Sequence, residues 1–177
     1  MQGHLFLIGF MGSGKSRWGA RLASHLELPF VDLDYQIEQE EQKSIAEIFA
    51  REGETGFRAV EQKHLHALAD QPDTVVALGG GTPCFFDNMT WINRHGRSFY
   101  LKVPLDILIE RLQRKGGHRP LLAQLPPADW PEILGKMLLQ RAPYYEQASQ
   151  TVAYASDDDA FFTQLCGAAG ESAGKKV

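Results

Sequence analysis

The chain has 177 residues, of which 44% are hydrophobic and 23% charged, and its formal net charge is −4. That length fits one domain, 1–177, able to bury about 70% of its unfolded surface without disulfide or metal staples. The acidic balance argues against a general nucleic-acid or membrane-surface binder, since both need a basic face, and no apolar run approaches the ~20 residues of a membrane span.

The N-terminus lacks a charged-then-apolar leader. Cys84 and Cys166 lie far apart with no metal-ligand spacing, so reduced thiols in the cytoplasm are expected. The six histidines show no metal-binding pattern either, and His64 and His66 are expected on a solvated helix.

The first apolar run, His4-Leu5-Phe6-Leu7-Ile8, suits a buried strand. It leads into Gly9-Phe10-Met11-Gly12-Ser13-Gly14-Lys15-Ser16, which fits G-x-x-x-x-G-K-[ST]. Behind it Trp18, Leu22 and Leu26 recur at helical spacing, predicting a helix over 15–25. Strand, glycine turn and helix are the setting that a polyphosphate needs. The glycines let backbone N–H groups converge on the anion, and the helix N-terminus adds its positive dipole end. There Lys15 reaches the β- and γ-phosphates of a nucleotide, and the Ser16 hydroxyl ligates Mg²⁺. The motif points to the nucleotide and is silent about the acceptor.

Further strands are predicted over 29–32, 74–78, 98–102 and 151–154, and helices over 44–51, 57–68, 87–93, 105–114, 131–140 and 158–166. Such alternation is the sequence form of a parallel α/β sheet. Ser44-Ile45-Ala46-Glu47 has capping-box form, and Gly53 is placed to stop that helix. Residues 115–127 hold Gly116, Gly117, Pro120, Pro126 and Pro127, too many breakers for a regular element, and read as an active-site lid. Residues 167–177 are small and polar and read as a disordered tail.

Asp32-Leu33-Asp34 closes the second predicted strand. Alternation sends both carboxylates to one side, at the strand end where ligands gather. One can hold the Mg²⁺ water shell beside Ser16 while the other faces an acceptor hydroxyl; a solvated strand-to-helix turn with an N-cap is the plainer alternative. Gly79-Gly80-Gly81 ends the next buried strand, and three glycines bring backbone N–H groups close to something flat or charged, unless they form a simple flexible turn. Arg58 is spaced to pair with Glu54 or Glu61 on a helix surface, and Arg141 to cap its own helix. With no polynucleotide to bind, the two would also make a bidentate clamp for a substrate carboxylate. Arg119, in Arg119-Pro120-Leu121-Leu122, would carry charge to a transferring phosphoryl group as the lid closes and excludes water.

In order along the chain, G-x-x-x-x-G-K-S, D-L-D, G-E-x-x-F-R-x-x-E, G-G-G, R-P-L-L and R-x-P-Y-Y resemble the pattern of shikimate kinase, a P-loop kinase related to the nucleoside-monophosphate kinases. The resemblance covers Leu7 to about Tyr154. It implies a three-layer α/β/α fold with a five-stranded parallel sheet, a mobile lid and a substrate-binding helical region. It also implies transfer of the ATP γ-phosphate to the 3-hydroxyl of shikimate, a step of chorismate and aromatic amino-acid biosynthesis, by a cytoplasmic monomer.

Residue by residue, Gly12, Ser13, Gly14, Lys15, Ser16 and Arg17 would surround the ATP phosphates, and Ser16 and Asp32 would organise Mg²⁺. Asp34 would hold the acceptor hydroxyl and take or steer its proton. Arg58 and Arg141 would grip the shikimate carboxylate beside the Gly80 and Gly81 amides. Lys15 and Arg119 would neutralise the transferring phosphoryl, and Arg114 would pack on adenine. Phe49 and Phe57 would line a pocket wall. Thr82-Pro83-Cys84 departs from the alanine of many relatives, and Cys84 is expected to be a packing residue.

Two rival readings are open. Another small-molecule kinase on the same scaffold, such as a gluconate kinase, is disfavoured by the D-L-D and F-R-x-x-E spacing. A non-catalytic nucleotide-binding protein would be expected to lose Lys15, Asp34 or Arg141 first, and all three are present.

Overall fold

The structure is a computed structural model that describes residues 3–114 and 125–170. Five parallel strands, β1 (His4–Ile8), β2 (Phe30–Asp32), β3 (Val75–Ala77), β4 (Gly96–Lys102) and β5 (Gln150–Ala153), form one sheet in the order β2-β3-β1-β4-β5. The helices between them are α1 (Lys15–Leu26), α2 (Leu33–Glu41), α3 (Ile45–Ala67), α4 (Asn88–His95), α5 (Leu105–Arg114), α6 (Trp130–Tyr145) and α7 (Asp158–Ala168).

Alternation along each strand sorts the core into two layers. Leu5 and Leu7 of β1, Phe99 and Leu101 of β4 and Val152 of β5 pack against Trp18 and Leu22 of α1 and Phe161 and Leu165 of α7. Phe6 and Ile8, with Val76 and Tyr100, face Ile37, Phe57, Leu65, Ile92, Leu108 and Leu134 on the other side. Both faces are therefore covered, which is why the central strands β1 and β3 read as nearly unbroken apolar runs. Phe6, Leu7 and Ile8 are fully buried, each contributing on the order of 1.5–3 kcal/mol. Because all strands run the same way, the ends of β1, β2 and β3 open onto one edge of the sheet.

The predicted strands and most helices are present, with four differences. Helix α2 is absent from the predicted helices, although the plainer reading of Asp32–Asp34 as a strand-to-helix turn with an N-cap holds: β2 ends at Asp32, and the next nine residues, Leu33–Glu41, are helical. The second helix predicted around Gly53 starts directly behind it rather than at residue 57: α3 holds both helices, broken by a kink where Gly53 adopts the non-helical φ 68° and ψ −176°, the stop expected there. The Ser44–Glu47 capping box that opens it is formed as predicted. His64 is not solvated. It is 2% exposed, with Glu40 3.2 Å from Nδ1 and Glu41 2.9 Å from Nε2, because α2 packs across α3 and covers it. His66 is half-buried with its ring stacked 5.0 Å from Trp91.

The last helix corrects the start of the predicted tail, since α7 continues to Ala168 and Arg97 donates to the carbonyls of Ala168 and Ala169. Residues 171–177 lie outside the described residues, as do 115–124 of the predicted lid and with them Arg119. Pro127–Asp129 forms a short 3-10 helix leading into α6. Among the described residues no helix is long and apolar enough to cross a membrane.

Candidate active site

At the end of β1 the chain turns through Gly9–Gly14 into α1. Gly14 is the N-cap, at φ 92° and ψ 19°, where a Cβ would also lie 3.0 Å from Cδ1 of Trp18. Among the described residues no side chain caps this helix and its first turn carries no acid, which suits its N-terminal N–H groups to an anion. Lys15 Nζ donates to the carbonyls of Gly9 (2.9 Å) and Phe10 (3.0 Å), which lays the ammonium across the loop. Ser16 is exposed at the first turn, whereas Ser13 is buried and its Oγ has no hydrogen-bond partner among the described residues.

The two aspartates do not reach the site by strand alternation, as predicted, because β2 stops at the first of them. Asp32 is the N-cap of α2, accepting from the Tyr35 N–H at a long 3.4 Å, and Asp34 sits in the first helical turn. That turn swings Asp34 to the glycine run after β3. A Cβ on Gly79 would fall 2.8 Å from Asp34 Oδ1, 2.8 Å from Glu61 Oε1 and 2.9 Å from Thr82 Oγ1. Three oxygens occupy the space of the missing side chain.

The next two glycines meet the two arginines. A Cβ on Gly80 would lie 3.6 Å from Arg141 Nη1 and 3.3 Å from the Met11 nitrogen of the phosphate loop. One on Gly81 would lie 2.6 Å from Arg58 Nη1. Arg58 pairs with both Glu61 (3.0 Å) and Glu54 (3.2 Å), the partners its spacing allows, yet it is buried rather than on a surface. Its guanidinium lies 4.1 Å from the Phe85 ring and 5.1 Å from that of Phe57, which in turn packs 4.5 Å from Phe49. Its Nε is buried and without a hydrogen-bond partner among the described residues. Arg141 does not end its helix: α6 continues to Tyr145, whose hydroxyl donates to the Gly80 carbonyl at 2.5 Å. Burial pushes the Cys84 thiol up to about 11, against the opposing pull of Arg141 and Arg58, and also drives the Tyr145 phenol well above its usual range. At neutral pH both are uncharged, so the guanidinium groups supply the positive charge at the glycine strap, Gly79–Gly81.

Other predicted nucleotide contacts sit differently. Arg17 is turned to α7, paired with Asp158 and stacked 4.6 Å from the Trp18 ring. Arg114 is exposed and pairs with Glu110 at 3.7 Å. Arg111, one turn earlier, does reach the phosphate loop: it donates to the Gly12 carbonyl (3.3 Å) and lies 5.4 Å from the Tyr154 ring. Sequence reasoning missed Arg111 and Tyr154, which share a cleft with Ser13, Trp18 and Asp158, because nothing in their spacing marks them. It also missed Thr82, although Glu61 was legible as a neighbour of Arg58 three residues on.

Among the described residues no three His, Cys, Asp or Glu side chains cluster as a metal cage. A nucleotide-bound Mg²⁺ does not need one, because phosphates and waters fill most of its octahedron. The exposed Ser16 hydroxyl and the Asp32 carboxylate, whose long bond leaves acceptor capacity, are donors of the right hardness for it.

The family model for shikimate kinase matches residues 11–168. A shikimate kinase of Bacteroides thetaiotaomicron is 40% identical over 144 residues, covering 81% of this chain and 82% of its own. A crystal structure of shikimate kinase from that organism gives a TM-score of 0.87 at 35% identity, covering 93% of this chain and 97% of the other. The Acinetobacter baumannii enzyme in complex with shikimate gives 0.84 at 32% identity, covering 94% and 92%. Likeness of this extent goes beyond a shared fold, and the chain belongs to the shikimate kinase family.

Proposed function

We propose that the phosphate loop and the glycine strap hold ATP and shikimate face to face, with the acceptor hydroxyl in line with the γ-phosphorus. The reaction is transfer of the ATP γ-phosphate to the 3-hydroxyl of shikimate, giving shikimate 3-phosphate and ADP in chorismate and aromatic amino-acid biosynthesis. One observation carries the arrangement. Asp34, Arg141 and Arg58 converge on Gly79, Gly80 and Gly81 in turn, and Gly80 abuts Met11 of the phosphate loop.

In this reading Arg58 and Arg141 bind the shikimate carboxylate, with the Gly80 and Gly81 amides alongside. The ring then lies along the strap toward Asp34, which orients the 3-hydroxyl and accepts its proton as the bond to phosphorus forms. Gly12, Ser13, Gly14, Ser16 and Arg17 hold the phosphates through backbone N–H groups and the helix dipole. Lys15, released from the loop carbonyls, follows the charge on the transferring group, joined by Arg119. Arg114 is assigned to the adenine. The divalent ion is Mg²⁺, held by Ser16 and Asp32, and when bound it screens the phosphate charge. Catalysis is then mostly positioning and electrostatics, as phosphoryl transfer allows. The proposal extends to a cytoplasmic monomer without nucleic-acid or membrane partners, in keeping with a net charge of −4.

An ADP-release assay with shikimate, with gluconate and with no acceptor tests the reading. Shikimate-dependent release is expected, and Arg58→Ala should raise KM for shikimate while sparing KM for ATP. Preference for gluconate, or equal loss for both substrates, overturns it.

A further inference from the structure

Thr82 follows the strap in a short 3-10 helix, Thr82–Cys84, and is fully buried. Its hydroxyl donates to Glu61 Oε1 at 2.5 Å, while Glu61 Oε2 accepts from Arg58 Nη1 at 3.0 Å. Glu61 is buried too, so both oxygens are held by protein donors where water does not compete. The backbone carrying the hydroxyl is itself fixed: Thr82 N–H donates to the Gly79 carbonyl (3.1 Å), and Asn88 Nδ2 donates to the Thr82 carbonyl (2.9 Å).

The terminal torsion of a glutamate is soft, and a carboxylate anchored by one oxygen can turn about it. A donor on the second oxygen removes that freedom. The orientation passes on to Arg58, because its other acidic partner, Glu54, has a side chain 60% exposed and is a weak anchor. Glu61 on one edge and the Phe85 ring, 4.1 Å away, on a face fix the plane of the guanidinium. Of its five N–H groups one goes to Glu61 and one to Glu54, while Nε is buried and without a partner among the described residues, so donors remain for a carboxylate.

We infer that Thr82 is a positioning residue of the substrate clamp: through Glu61 it sets the plane of Arg58, and with it the affinity for the shikimate carboxylate, without touching substrate. This rests on the clamp reading of Arg58 given above.

Thr82→Val removes the hydroxyl at nearly constant volume. KM for shikimate should rise about tenfold, as expected for loosening a buried charge-assisted pair, while KM for ATP stays within about twofold. Thr82→Ser, which restores the donor, should recover the wild-type value. In an Arg58→Ala background Thr82→Val should add nothing further, since the two act along one line. An unchanged KM for shikimate, an equal rise for both substrates, or a full additional effect in that background overturns the proposal. Should Thr82→Val fold poorly, Thr82→Ser against Thr82→Ala decides instead: a serine variant binding several-fold more tightly supports it, and equal values overturn it. Arg58→Ala alone separates the two levels. If it leaves KM for shikimate unchanged, the clamp fails and this proposal with it; if it raises KM while Thr82→Val is silent, only the role of Thr82 falls.

Discussion

The Arg58 guanidinium lies so close to Gly81 that a methyl group on that glycine would come within 2.6 Å of Nη1. An arginine on a surface would swing aside, but this one is buried and tied to Glu61 and Glu54. Gly81→Ala must therefore displace the guanidinium from its partners or push back the strap. KM for shikimate is expected to rise about tenfold or more with KM for ATP little changed, as steady-state kinetics with each substrate varied will show. A variant with wild-type shikimate KM would mean that Arg58 is not held where it bears on substrate.

Lys15 has its ammonium on the carbonyls of Gly9 and Phe10, at 2.9 and 3.0 Å, inside the phosphate loop. Its charge matters most when negative charge shifts within the transferring group. Lys15→Ala should lower kcat by about 10² or more at saturating substrates. The unfolding midpoint should move little, because the side chain is only half-buried. A fall confined to KM for ATP would assign the lysine to ground-state binding alone.

Asp34 reaches the strap through a gap that only Gly79 leaves, and asparagine has the same outline. Asp34→Asn should keep shikimate affinity within about fivefold, because an amide still hydrogen-bonds the hydroxyl. It should slow single-turnover phosphoryl transfer by about 10² or more, because the group can no longer accept the proton. Equilibrium binding measured beside single-turnover kinetics separates the two; loss of binding with an unchanged transfer rate would count against a role in the proton step.

What could be read from the sequence followed from how strong a pattern each element's burial imposes. A strand covered on both faces must be apolar throughout, and β1 and β3 were legible for that reason. Helix α2 was not, because only Leu33 and Ile37 of its nine residues are buried and the rest resembles a solvated charged turn. That omission carries two more with it. Without α2 nothing covers His64, and strand alternation takes the credit for the spacing of Asp32 and Asp34 where a helical turn does the work. The arginines divide on similar grounds. Arg58 and Arg141 stood in motifs and met at the strap, whereas the choice between Arg111 and Arg114 depends on how α5 rolls against the phosphate loop, which periodicity does not specify.

Cys84 and Tyr145 make the alkaline limb of the stability curve a probe of the strap. Burial is the main cause in both, holding the thiol at about 11 and the phenol higher still. In the unfolded chain they ionise at roughly 8.5 and 10. Between those values the fold keeps protons that the unfolded chain gives up, so their contribution is intact below about pH 8.5 and declines as pH rises toward 11. Urea unfolding of Cys84→Ala should therefore lose stability less steeply than the wild type across that window. Tyr145→Phe should flatten the curve only above about pH 10, after a cost at neutral pH of about 1–2 kcal/mol for the lost bond to the Gly80 carbonyl. If wild type and Cys84→Ala run parallel from neutral pH to pH 11, the thiol ionises as readily in the fold as out of it, and the strap is wetter than its packing against Arg58, Arg141 and Tyr145 implies.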